Sequence, residues 1–171
     1  MNEPLRILAA DDSAVMRGIM RTLFLRHSGI DGDELPRMEL VGVARDGVEC
    51  LDAVARLDPD VLVLDLEMPR LSGLEVLDRL REKGVRLPVI MCSAHTERGA
   101  RATFDALARG ASDYVMKPAG QRDFEKALAS LTQQLLPRIA VLARLGRSSR
   151  GTDASFGRGL KRISSEIRPP A

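Results

Sequence analysis

Asp11-Asp12, Asp65, Ser93 and Lys117 each close a short apolar run, and between them they hold three carboxylates, a hydroxyl and an ammonium. Leu5 to Ala10 leads into Asp11-Asp12, Val61 to Leu64 into Asp65, Val89 to Cys92 into Ser93, and Tyr114 to Met116 into Lys117-Pro118. If the runs are parallel strands of one sheet, these groups share the edge where open parallel sheets bind ligands. Three nearby carboxylates repel one another unless something neutralises them. A hard divalent cation does so, and Mg2+ suits a site of few carboxylates completed by water and phosphate oxygens. Lys117 then offers a cation to a phosphoryl oxygen, Ser93 a neutral donor, and the loop N–H groups after Asp65 and Ser93 further donors. Taken singly, Asp11-Asp12 reads as a helix cap with first-turn charge, Ser93 as a loop cap and Lys117 as a solvated charge. Their joint spacing points to phosphoryl chemistry.

The elements that must position these groups are legible as an alternation. Aliphatic runs predict strands near 6–10, 39–44, 60–64, 89–92 and 113–116, and segments of helical period fill the gaps, the pattern of βαβ units. Ser13 is placed to cap a first helix with Val15, Met16, Ile19, Leu23 and Phe24 inward. Asp46 or Gly47 opens a second with Val48, Leu51, Val54 and Leu57 inward, and Ser72-Gly73 precedes a third bearing Leu74, Leu77 and Leu80. Thr96 caps a fourth that turns Phe104, Leu107 and Ala108 to the sheet, and a fifth starts near Gln121 with Phe124, Leu128 and Leu131 packed. The segment 27–37, rich in Gly, Asp and Pro, is expected to be a long loop. Pro137 is expected to kink or break the fifth helix, because it lacks a backbone donor and crowds the preceding turn. The division expected is a domain over 1–136 and a helical linker with a basic, mostly disordered tail over 137–171.

Bulk composition narrows the classes of function. The 171 residues contain no Trp, one Tyr and four Phe, so base-stacking surfaces are not expected. The net charge of +2 is unevenly placed: six basic against two acidic residues follow Gly146, leaving the rest slightly acidic. A basic face for nucleic acid is not indicated. Cys50 and Cys92 sit among apolar neighbours in no metal-binding spacing, as small buried hydrophobes do. With no signal segment and no apolar stretch long enough to span a bilayer, a cytoplasmic protein without membrane contact is the expectation.

Several motifs in order resemble a known family. Asp11-Asp12-Ser13, Asp65-Leu66-Glu67-Met68-Pro69 with Ser72-Gly73-Leu74-Glu75, then Ser93, then Gly110-Ala111-Ser112-Asp113-Tyr114 with Lys117-Pro118 are similar to the receiver domain of bacterial two-component response regulators. The stretch Leu87 to Ala100, followed by Ala102-Thr103, Ala106-Leu107 and Gly110-Ala111, is similar more narrowly to the receiver of the chemotaxis protein-glutamate methylesterase, as is Asp12 to Arg17. The resemblance covers about residues 4–136. It implies a doubly wound, flavodoxin-like five-stranded parallel sheet of order 2-1-3-4-5.

The resemblance also implies roles. Asp65 would accept a phosphoryl group from a sensor histidine kinase, Asp12, Asp65 and the Glu67 main-chain carbonyl would ligate Mg2+, and Asp11 would hold a metal-bound water. Ser93 would bond the phosphoryl oxygen and Lys117 pair with it, with the Lys117-Pro118 peptide cis. Tyr114 would turn toward Ser93 on phosphorylation, switching a face made of the fourth helix, fifth strand and fifth helix for an output domain or partner protein. Glu67 and His95, each two residues past a site residue, would tune phosphoryl lifetime.

The sequence departs from the methylesterase in one respect: no GxSxG-like nucleophile elbow follows, and only His27 and His95 could serve as histidine bases. The reading is therefore a phosphoacceptor switch rather than an enzyme, with the regulatory part of a longer methylesterase as the alternative. An aspartate-nucleophile phosphatase shares the strand-end acid, and Glu67 partly meets its second acid, but Asp11-Asp12 and Lys117-Pro118 favour the receiver. A DNA-binding regulator is disfavoured by the short tail. The apolar continuation 133–145 is linker, core packing, or a docking surface for a partner domain or a second copy of the chain.

Overall fold

The structure, a computed structural model, describes residues 3–28, 35–94, 97–118 and 122–163, with side chains described as far as Gly146. The expectations for His95, Thr96, Gln121 and the centre of the 27–37 loop lie outside the described residues. Strands β1 (Leu5–Ala10), β2 (Met38–Ala44), β3 (Val61–Asp65), β4 (Val89–Ser93) and β5 (Asp113–Met116) alternate with helices α1 (Ala14–His27), α2 (Gly47–Leu57), α3 (Gly73–Glu82), α4 (Glu97–Ala108) and α5 (Phe124–Ile163). All pairings are parallel, and the sheet order is β2-β1-β3-β4-β5. This is the doubly wound order expected, with its switch point between β1 and β3.

Side-chain alternation along the strands divides the core in two. Ile7, Ala9, Val61, Val63, Ile90 and Cys92 pack beneath α1 and α5, while Leu8, Leu62, Leu64, Val89 and Met91 pack beneath α2, α3 and α4. Both faces of the sheet are thus covered, which is why the strands read as continuous apolar runs.

Local chemistry sets the helix starts. Ser13 Oγ accepts from Met16 N at 3.3 Å, Asp46 Oδ1 from Glu49 N at 2.8 Å, and Ser72 with Glu75 forms a reciprocal capping box. The inward faces differ from expectation at the large residues. Val15, Val48 and Phe104 are 67%, 39% and 72% exposed, and Phe124 is also exposed. Met20 replaces Val15 in the core, Cys50 and Ala53 replace Val48, and Gly99, Thr103 and Ala106 replace Phe104. In α2 and α4 small residues let the helix lie close to the sheet, so there size rather than hydropathy decides which face turns in.

Helix α5 is continuous through Pro137, so the expected break does not occur. The missing donor is on the exposed side, and the buried side is held by Leu135, Leu136, Ile139, Ala140 and Ala143 in the same core as α1. Packing outweighs the proline cost of about 3 kcal/mol. The helix is described as far as Ile163. No peptide bond among the described residues is cis, so Lys117–Pro118 is trans. Lys117 N donates to Ser93 O at 2.8 Å, and this ladder bond aims the side chain at the strand ends without a cis bend.

Candidate functional site

The strand register brings the polar residues together. Ala10 pairs with Leu64, Asp65 with Cys92, and Ser93 with Met116, so Asp11, Asp65, Ser93 and Lys117 step across the carboxyl edge of four adjacent strands. Asp11, Asp12 and Asp65 offer oxygens that all lie within 4.8 Å of one another. Lys117 Nζ sits between two of them, 2.8 Å from Asp11 Oδ2 and 3.0 Å from Asp65 Oδ1. Asp11, Asp65 and Ser93 are buried, whereas Asp12 is exposed at the mouth. A cavity of about 360 Å3 opens here, lined by Asp12, Asp65, Glu67, Ser93, Arg98 and Lys117 among others. A larger hollow of about 520 Å3 lies toward the amino ends of β4 and β5, between Pro88 and Leu142, and receives none of these groups.

The acids are fixed from behind by main-chain bonds. Asp11 Oδ1 accepts from Ser13 N at 2.9 Å, and Arg17 Nη1 donates to both the Asp11 and Asp12 carbonyls at 2.9 Å. Asp65 Oδ1 accepts weakly from Glu67 N at 3.3 Å, while the Glu67 side chain is exposed. The loop beyond Asp65 is held by close approach. A Cβ on Gly73 would lie 2.3 Å from Asp65 O, and one on Gly47 2.4 Å from Leu71 O, so only glycine lets α3 and α2 press against that loop. Arg70, at a positive φ of 69°, reaches back to Asp46 at 3.4 Å and ties the loop to the start of α2.

Charge and burial act against each other at Asp65. Burial, then the neighbouring Asp11 charge, push its carboxyl up to about 7, and Lys117 and the Glu67 N–H only partly offset them. Burial works to lower Lys117, but its bond to Asp11 and the charges of Asp11 and Asp65 outweigh that and hold it above its ordinary value. Among the described residues Asp65 Oδ2 is buried with no hydrogen-bond partner, while Asp11 Oδ2 pairs with Lys117 Nζ. An anionic cluster with a bare carboxylate oxygen and one cation suits an added divalent cation, so these residues fit Mg2+. Burial pushes the Cys92 and Cys50 thiols up to about 12, which leaves both unreactive near neutral pH.

Two further residues belong to the site that the sequence placed only within the methylesterase-like stretches, with no role assigned. Arg17 works through carbonyls and Thr103 from the buried face of α4, 3.2 Å from Ser93 Oγ. Neither residue type signals such contacts. Tyr114 is 43% exposed, and the β5 side chain hydrogen-bonded to Ser93 is Met116, with Ser93 Oγ 3.7 Å from its sulfur.

Residues 7–129 match the family model of the response regulator receiver domain. The protein-glutamate methylesterase/protein-glutamine glutaminase of Trichodesmium erythraeum is 44% identical over 136 residues, which is 80% of this chain and 36% of that protein. The corresponding protein of Pyrococcus abyssi is 38% identical over 143 residues, 84% of this chain and again 36% of its own length. The crystal structure of the response regulator domain of Thermotoga maritima CheB superposes with a TM-score of 0.66 at 36% identity, covering 83% of this chain and 98% of that one. The chain spans about a third of the length of these curated relatives. With five parallel strands in receiver order and a strand-end acid cluster in place, the chain belongs to the response regulator receiver family.

Proposed function

We propose that Asp65 is the phosphoacceptor of this receiver and that a sensor histidine kinase supplies the phosphoryl group in chemotaxis-associated two-component signalling. The observation that carries this is Asp65 Oδ2: a buried carboxylate oxygen without a hydrogen-bond partner among the described residues, on the wall of a cavity shared with Lys117 and Ser93. A carboxylate oxygen attacks phosphorus, the phosphorus–nitrogen bond of a phosphohistidine breaks, and its electron pair returns to the imidazole, leaving an acyl phosphate on Asp65. Such transfer needs position and charge neutralisation more than covalent help from the protein. Asp12, Asp65 and the Glu67 carbonyl, with Asp11 through a water, would hold Mg2+, which when bound neutralises the carboxylates and the incoming phosphate oxygens. Lys117 turns from its carboxylate partners to a phosphoryl oxygen, and the Ser93 hydroxyl donates to another.

Further parts of the reading follow from this site. Ser93 and Tyr114 act as the switch, and the α4, β5 and α5 face meets an output domain or partner protein. Support for that face is the exposure of Phe104 and Tyr114 on it. Residues 1–136 serve as the receiver unit, and 137–171 as a helical linker followed by a basic tail, the linker leading toward further domains or a second copy. The identity to methylesterases favours a second, wider reading, in which the receiver regulates a protein-glutamate methylesterase. Cytoplasmic location is part of the proposal; among the described residues no helix is long and apolar enough to cross a membrane.

The test is Mg2+-dependent labelling with acetyl phosphate. Wild type should label, and Asp65→Asn should lose the label. Retained labelling in that variant would overturn the assignment.

A further inference from the structure

Helix α4 turns one polar side chain into the interior, Thr103, within a face otherwise made of Gly99 and Ala106. Thr103 is 5% exposed and Ser93 1%. Thr103 Oγ1 lies 2.8 Å from the Gly99 carbonyl and 3.2 Å from Ser93 Oγ. A threonine hydroxyl has a single proton but accepts through two lone pairs, and which of two hydroxyls donates is set by their rotation. The Gly99 carbonyl only accepts, and it is the nearer partner, so the Thr103 proton goes there. The proton bridging the two hydroxyls is then that of Ser93, whose other acceptor in reach among the described residues is the weak sulfur of Met116 at 3.7 Å.

A phosphoryl group on Asp65 would place anionic oxygens in the cavity that Ser93 lines. Hydrogen bonds to such oxygens are roughly twice as strong as bonds between neutral groups. Ser93 has one proton, so Thr103 and the phosphoryl group compete for it. We infer that Thr103 is a positioning residue: it holds the Ser93 hydroxyl against α4 in the unphosphorylated protein, and loss of that bond tells α4 that Asp65 is occupied. The inference rests on the phosphoacceptor reading.

The placement of α4 fits this role. Gly99 and Ala102 from its first turns wall the same cavity, so the element that feels the lost bond already borders the site. Phe104 follows Thr103 directly and is 72% exposed on the outer side of the helix. A small rotation of α4 after release of Thr103 therefore changes the surface that Phe104 presents.

The test is calorimetric titration of the full chain with beryllofluoride in the presence of Mg2+. Thr103→Val keeps the shape and removes the hydroxyl, and Thr103→Ser keeps the hydroxyl. Removing the competitor for the Ser93 proton should tighten beryllofluoride binding by about three- to tenfold in Thr103→Val, the worth of one net hydrogen bond. Thr103→Ser should stay near wild type. In a Ser93→Ala background Thr103→Val should change nothing, because no proton remains to compete for. An unchanged affinity in Thr103→Val, or an equal change with and without Ser93, would overturn the inference. Thr103→Ala gives the same readout if the valine variant does not fold. Failure of wild type to bind beryllofluoride, or equal binding by Asp65→Asn, would instead overturn the phosphoacceptor reading.

Discussion

Burial of the Asp65 carboxylate works against folding, and that cost has a pH signature. Its folded-state carboxyl titrates at about 7 against an ordinary 3.8, chiefly through burial and secondly through Asp11. Between those values the folded protein keeps a proton that the unfolded chain has released, so stability falls as pH rises through the window. Asparagine has no such proton to lose. Asp65→Asn should therefore be more stable than wild type at pH 7.5, on the order of 2 kcal/mol once partial screening is allowed for, with the gap closing toward pH 4. Urea unfolding at a series of pH values without Mg2+ measures it; a gap independent of pH would show that Asp65 keeps its ordinary titration. The acids, Ser93 and Lys117 were legible in the sequence because their types announce phosphate chemistry and each ends an apolar run. Arg17 and Thr103 were not, since one acts through main-chain carbonyls and the other through burial of a residue that is ordinary on a helix.

Elements fix the site through contacts too close for a side chain. Gly73 opens α3, and its amide donates to Leu66 O at 2.9 Å while its Cα side faces the Asp65 carbonyl. A methyl group there meets backbone at 2.3 Å, and backbone cannot swing aside as the end of a flexible side chain does. Gly73→Ala should cost about 1–3 kcal/mol in urea unfolding and slow acetyl phosphate labelling, because relief of the clash moves the peptide that carries Asp65. Unaltered labelling with lowered stability would mean that α3 yields and Asp65 does not. Strand existence and order were legible because both sheet faces are covered and each strand is a continuous apolar run. The inward face of α4 was not, because apolar periodicity weights Phe104 above Gly99, Thr103 and Ala106. Close helix–sheet contact selects the small residues instead.

Across the whole molecule, α5 links the site to whatever lies beyond it, and the proposed division at residue 136 cuts this helix where it is still packed. Gln134 bonds both main-chain groups of Met116, at 3.0 Å to N and 3.1 Å from its own amide to O, so α5 anchors the strand that presents Lys117. Past residue 136, Arg138 pairs with Asp113 at the start of β5 at 3.2 Å, and Ile139, Ala140 and Ala143 enter the core with Leu23 and Phe24. The sequence showed this apolar continuation but assigned it no definite place, since Pro137 marks a helix end in any purely local rule. A chain ending at 136 should therefore be less stable than one ending at 146 by about 3–5 kcal/mol, the worth of burying Ile139 with the smaller groups beside it. Because the lost turns secure β5, the shorter chain should also label more slowly with acetyl phosphate at temperatures where both remain folded. Equal stability and equal labelling would place the unit's boundary at 136. A deficit in both would place it beyond Ala143 and make the start of the extension part of the switch itself.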